Sequence, residues 1–348
     1  MAHVRSHRQG IYPLYHGSEG GSMRVRVRVS LLALMVGGAV GVAVPAAAQA
    51  ALTIERFVAA DCSAGHETCG EAAAEKAATN ELFTQAAGHP NFGITDFTIG
   101  TTAGVPNAVL THIRTDVAPG PSTNPQATPK CALNEFLVEP PPPLEHSGLY
   151  VKNTCKTETV IGENKVTIFA GAAGDLSASG TVYNMVQPYG VSSRFGVSLK
   201  VPKALTEAKL GALLKGSDPP AEAEQYYAPT FIEGFVEWGT DYHDYFEIIV
   251  PTETPLISSR LIFNGRAGTG TFLTDPSGCN PPGPATTSTL TLTSEAGETV
   301  KRTSEAQVGA KECATVPFAP TFSVTPETTQ LDEPDGLTAH LAPFAEVR

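Results

Sequence analysis

Lysine and arginine are scarce in this chain: 23 against 35 aspartates and glutamates in 348 residues, a formal net charge of −12. The scarcity deepens beyond the first 50 residues, which hold five arginines and one glutamate; the remainder has 18 basic against 34 acidic residues, a net of −16. Nucleic acid and anionic membrane are excluded as partners on that ground, because both are bound by clustered cations that neutralise phosphate. Familiar catalytic signatures are missing as well. There is no G-x-S-x-G elbow, no H-E-x-x-H pair, no phosphate loop and no dinucleotide fingerprint, and Arg194 stands where an elbow starting at Gly190 needs its second glycine. The chain has no C-x-x-C, and its apolar run Leu31–Val44 is shorter than the ~20 residues a membrane-spanning helix needs. No internal repeat of the ~20–50-residue period of solenoids or propellers occurs.

That short apolar run does have a reading. Arg24, Arg26 and Arg28 precede it, and Ala48-Gln49-Ala50 follows it as a small-x-small exit, so residues 23–50 read as a secretory signal peptide with Ala51 as the mature start. Pro45 breaks the run's helix before the cut, and no stable membrane insertion is expected after cleavage. Residues 1–22 fit no targeting pattern and are expected to be untranslated or disordered, with Met23 as the true start. The expected location is secreted, extracellular or at the cell surface. All six cysteines lie after the exit, where an oxidising compartment favours disulfides. Local proximity pairs Cys62 with Cys69, Cys131 with Cys155, and Cys279 with Cys313. Zinc is not expected, since His66 is the one histidine at ligand spacing within a cysteine pair.

With 33 glycines and 28 prolines the chain is rich in turn residues, and apolar residues alternate between them. The expectation is a mainly β fold, an antiparallel β-sandwich-type module with one or two short helices, spanning residues 51–320. Strands are read at Val109–Val117, Val166–Ala170, Thr181–Val186, Arg194–Val201 and Thr286–Thr293; Phe195, Val197, Leu199 and Val201 share one face of the fourth. The alanine-rich Glu71–Ala87, stopped by Gly88 and Pro90, is a helix candidate, and Ala204–Leu214 is another. Residues 321–348 are too short for a core of their own.

The candidate site is a hairpin over Ile232–Val250 with its turn at Gly239-Thr240-Asp241. In that register Trp238 faces Tyr242, Gly234 faces Phe246 and Ile232 faces Ile248 on an apolar side. The other side sets Glu237 against His243, Phe235 against Tyr245 and Glu233 against Glu247. Directly opposed carboxylates repel unless a cation, a proton or solvent separates them, and such pairs also serve as acid and base in glycoside hydrolysis. Solvated surface glutamates are the plainer explanation. Asp244, on the apolar side, sits awkwardly in this register. His112 and Asp116 share a face with Arg114 as an ordinary ion pair would.

Several runs, FTQAAGHP (Phe83–Pro90), HIRTDVAPG (His112–Gly120), NPQATPKC (Asn124–Cys131), VYNMVQP (Val182–Pro188) and FLTDPSGC (Phe272–Cys279), resemble large secreted multi-module proteins of soil actinobacteria. The resemblance runs in order from about Thr53 to about Leu341. It implies a leading disulfide-containing region followed by immunoglobulin-like β-sandwich repeats, supports local pairing of the cysteines in NPQATPKC and FLTDPSGC, and transfers no catalytic residue. Ser323–Leu341 resembles the opening of the first repeat, so residues 321–348 are expected to be the start of a truncated one. The resulting expectation is a non-catalytic structural or adhesive surface module whose partner is a glycan or protein. The alternatives are a carbohydrate-binding or glycoside-hydrolysing module on the 232–250 hairpin face, and calcium binding by that face; no other cofactor or metal is expected.

Overall fold

Eleven strands form one antiparallel sheet in the computed structural model. The structure describes residues 51–65, 68–70, 79–214, 225–239, 241–251, 255–283, 286–306, 308–316, 321–328 and 336–342; the signal-peptide reading and residues 1–22 lie outside the described residues. In chain order the strands are β1 (Ile54–Cys62), β2 (Phe92–Ile99), β3 (Leu110–Asp116), β4 (Val160–Phe169), β5 (Asp175–Met185), β6 (Ser193–Lys200), β7 (Tyr227–Glu237), β8 (His243–Ile249), β9 (Leu256–Asn264), β10 (Thr287–Ser294) and β11 (Thr299–Glu305). Across the sheet they run β1-β2-β9-β4-β5-β6-β7-β8-β3-β10-β11. The expected mainly antiparallel β fold is the observed one.

The sheet curls until its two edges, β1 and β11, lie side by side. Eleven is an odd number, so strands that alternate in direction bring these edges together in parallel, and the antiparallel ladder cannot continue across the seam. Side chains close it instead. Ser304 Oγ accepts from Ala59 N at 3.0 Å, Arg302 donates to Ile54 O at 2.8 Å, and Glu298 accepts from Leu52 N at 3.0 Å. This blunts two edges that would otherwise invite pairing with another chain. The halves of the sheet face each other over a shared core in which Phe57, Phe97 and Val166 meet Ile113, Leu290 and Leu292.

Pleating sends alternate residues inward and outward. Ile232, Phe246 and Ile248 point in, as does the row Phe195, Val197 and Leu199. Four rings, Phe195, Phe246, Phe263 and Phe272, cluster with centroids 5.2–6.1 Å apart inside the end where β1 finishes. Gly234 makes room there, since a Cβ at that position would meet the Phe246 ring at 2.9 Å.

Two disulfide loops cover apolar patches on the outside. The cysteine pairs expected from proximity lie at disulfide distance, with Cα–Cα separations of 6.2, 5.4 and 5.7 Å for Cys62–Cys69, Cys131–Cys155 and Cys279–Cys313. The first loop seals Val58, Ile94 and Ile262. The second carries helix α1 (Leu133–Phe136), whose Phe136 packs on Met185, Tyr183 and Phe231. Helix α2 (Lys203–Leu214) is the expected 204–214 helix, and Leu210 and Leu214 pack with Leu144, Leu149 and Tyr226.

The expected helix over Glu71–Ala87 is corrected where it can be seen. Residues 71–78 lie outside the described residues, but 79–87 are turns and isolated bridges. Their backbone groups are taken up by neighbouring segments: Phe83 N donates to Asp61 O at 2.9 Å, Ser63 N to Glu81 O at 2.8 Å and Ala86 N to Lys311 O at 2.9 Å. Alanine's helix preference is worth only tenths of a kcal/mol per residue (about 0.5) and yields to such tertiary pairing. Two further strands, β12 (Thr321–Pro326) and β13 (Leu337–Ala342), pair with each other and are exposed throughout. Phe322, Val324, Leu337 and Leu341 are among their exposed side chains.

Candidate functional site

The 232–250 hairpin folds in the expected register: Glu233 opposes Glu247, Phe235 opposes Tyr245 and Glu237 opposes His243. This face looks outward from the barrel. Neighbouring strands add Arg194 from β6 opposite Glu233, and Arg114 and Asp116 from β3 opposite Glu247 and Tyr245. Cations therefore answer the opposed carboxylates. Arg194 reaches Glu233 Oε1 through Nη2 at 2.6 Å and Nε at 3.1 Å. Arg114 lies over the Tyr245 ring at 3.8 Å, bonds Asp116 at 2.5 Å, and stands 3.6 Å from Glu237 and 3.9 Å from Glu247. His112 adds a contact to Glu247 at 3.7 Å. Phe235 and Tyr245 stack with centroids 5.2 Å apart.

His243 is bracketed by acids. Nδ1 meets Asp241 at 2.5 Å and Nε2 meets Asp116 at 3.2 Å. Burial pulls its pKa down, but the two carboxylates outweigh burial and hold it above the ordinary histidine value. For Asp116 burial acts upward and is overcome by Arg114 and His243, leaving that carboxyl below its usual range. In its protonated form, which these carboxylates favour, a doubly hydrogen-bonded imidazole has no lone pair for a metal and none to act as a base. Replacing Asp116 with asparagine is expected to lower the His243 pKa, read from the pH titration of its ring protons by NMR. An unchanged midpoint would mean the imidazole is not held this way.

Every carboxylate on this face thus has a cationic side chain within 4 Å. The arrangement orders a patch of outer wall, with the Glu233 and Glu247 side chains 33% and 34% exposed. At the hairpin tip Trp238 and Tyr242 meet edge to face at 5.6 Å and stay 70% and 66% exposed. Elsewhere, Glu139, Glu145 and His146 gather on the surface, all exposed, with both ring nitrogens of His146 turned to the two carboxylates.

Sequence reasoning missed a second cluster. Asp61, next to last in β1, faces inward, and Asp275 reaches it from the segment after Thr274, the two carboxyls hydrogen-bonding each other. Burial pushes Asp61 up to about 6 despite that bond. Burial, then the neighbouring Asp61 charge, pushes Asp275 up to about 9. Asp244, anomalous in the sequence, also faces this end of the barrel, accepts from Thr123 N at 3.3 Å and is raised by burial. The only sequence signal was an aspartate on an apolar face; Asp61 and Asp275 are over 200 residues apart and nothing local connects them.

These acids border a space of about 1060 Å³ inside the barrel. No family model matches the chain, and no curated protein or solved structure matches it.

Proposed function

We propose that this chain is a secreted, non-catalytic structural or adhesive module of the cell surface, the N-terminal part of a larger multi-module protein of the actinobacterial kind it resembles. The observation that carries the non-catalytic reading is the engagement of Glu233 by Arg194 at 2.6 Å, which commits one member of the facing carboxylate pair to the wall of the barrel. Three cysteine pairs at disulfide distance are compatible with an extracellular protein, and no helix among the described residues is long and apolar enough to cross a membrane. The β12–β13 hairpin supports a modular reading. Two strands rarely hold together alone in water, and the apolar side formed by Phe322, Val324, Leu337 and Leu341 suits the first layer of a sandwich repeat.

Exposed Trp238 and Tyr242 favour a glycan as the surface partner, because such rings offer an apolar face and a polar edge together. A glycan array read beside a glycoside-hydrolysis screen tests the proposal. The expected result is binding, weakened in Trp238→Ala, without turnover. Turnover that disappears in Glu233→Gln or Glu247→Gln would overturn it in favour of hydrolysis.

A further inference from the structure

Packing inside this barrel is uneven: Phe57, Ile113, Leu290 and Phe195 are buried there, but other inward-facing side chains are not. Outward-facing Ile94, Ile262 and Asp96 are buried beneath the Cys62–Cys69 loop, whereas inward-facing Leu199, Phe246, Ile248 and Leu261 remain partly exposed. All four of the latter line the internal space, so the surface they expose is the wall of a cavity. Native interiors rarely hold a void larger than a water molecule. At about 1060 Å³ this one matches the upper end of small-molecule sites, ~300–1,000 Å³.

Its origin is legible in the inward rows. Ladder pairing sets Ala59 beside Thr95, Thr95 beside Leu261, Leu261 beside Asn164 and Asn164 beside Gly180. Ala178, Ala228 and Thr230 continue the small residues around the wall. Barrel width grows with strand number, and side chains of this size cannot fill the lumen of eleven strands. Water is a poor occupant, because an ordered water needs two to four polar partners (about three) and most of this lining is apolar.

The polar groups are unevenly placed. Asp61, Asp244 and Asp275 border the end with the phenylalanine cluster. Asp275 is 7% exposed, and its Oδ1 has no hydrogen-bond partner. At the other end Leu205 and Lys209 of α2 border the space next to exposed His146, and Lys209 already has a partner.

We propose that the lumen binds an elongated apolar small molecule whose head group, an alcohol or a protonated amine, lies at the end bordered by Asp61, Asp244 and Asp275. The hydrocarbon lies along the wall formed by Ala59, Ala178 and Thr230. A fatty-acid anion is disfavoured, since its carboxylate would meet the negative charge that the Asp61–Asp275 pair keeps above about pH 6. This site is independent of the outer hairpin face and of the surface role proposed for it.

The test uses the full oxidised chain titrated with Nile red, followed by displacement with 1-dodecanol, dodecylamine and laurate below their micelle concentrations. Saturable one-to-one binding is expected, with the alcohol and the amine displacing the dye at about tenfold lower concentrations than laurate. Asp61→Asn, which removes the charge the acid pair carries at neutral pH, is expected to bring the amine and laurate close together. Ala178→Phe, which fills the lumen, is expected to abolish dye binding; Thr230→Leu, a smaller change on another strand, covers the case in which that variant fails to fold. Unsaturable dye uptake, or affinity untouched by lumen filling in folded protein, would overturn the site. Laurate displacing as well as the amine would overturn the head-group assignment while leaving the cavity reading in place.

Discussion

Arg260→Ala is expected to cost about 3 kcal/mol, since a charge-assisted hydrogen bond to Asp96 is lost and a buried carbonyl is left unmatched. Arg260 projects outward from β9, yet it is only 6% exposed because the Cys62–Cys69 loop lies over it. Nη1 reaches Asp96 at 2.8 Å and Nη2 donates to Cys69 O at 2.9 Å. Asp96 also receives Arg56 at 2.6 Å, and Arg56 bonds Gly70 O in turn. Two arginines and one aspartate therefore tie the disulfide loop to β1, β2 and β9 from the side facing away from the lumen. Removing Arg260 strips Asp96 of one partner and leaves a buried carbonyl unmatched. Thermal unfolding is expected to fall by the order of 10 °C. Arg194→Ala makes the contrast: its pair with Glu233 is 21% and 33% exposed, and its loss is expected to cost under ~1 kcal/mol. Equal melting temperatures for the two variants would contradict the role given to Arg260.

Stability is expected to fall as pH rises from 6 to 9, with Asp275 as the main cause. An unfolded aspartate titrates near 3.8, whereas Asp61 and Asp275 in the folded chain titrate at about 6 and about 9. Between those limits the folded state holds protons that the unfolded state has released, so raising the pH favours unfolding. Up to about pH 6 both aspartates contribute; from there to about pH 9 only Asp275 does, at about 1.4 kcal/mol per pH unit for one proton. His243 acts in the same direction, since its raised pKa gives stability that is lost as pH climbs through it. Asp116, lowered in the fold, contributes in the opposite sense, but its contribution is complete well below neutral pH. Urea midpoints at pH 6 and pH 9 measure the slope. Asp275→Asn keeps the shape and removes the proton, so the variant should show a much flatter profile and higher stability than the parent at pH 9. An identical slope in the variant would show that the inward acid pair is not responsible.

The outer face was readable because a β-strand's period of two is short-range information. Once the turn is placed at Gly239–Asp241, every opposition from Ile232/Ile248 to Glu237/His243 follows. Cysteine pairing was readable for a similar reason, the partners being 7, 24 and 34 residues apart. What the hairpin's residues meet depends on β3 and β6, and that was not readable: Arg114 and Arg194 neutralise the glutamates only because the sheet order brings distant strands alongside. The alanine-rich stretch misled because composition reports intrinsic preference, while Leu82 and Gln85 are drawn into bridges with Cys62 and Lys311. The interior acids were hidden by sequence distance, except that Asp244 broke the alternation of β8. That irregularity was the one local trace of the lumen.

Intact-mass analysis of protein collected from the culture fluid of cells carrying the whole gene tests the central claim, an exported barrel held by three bridges, most directly. The expected species begins at Ala51, is lighter by two hydrogens for each of the three cysteine pairs, and takes up no thiol label after denaturation. A chain found only inside the cells, or one whose cysteines are labelled, would contradict it.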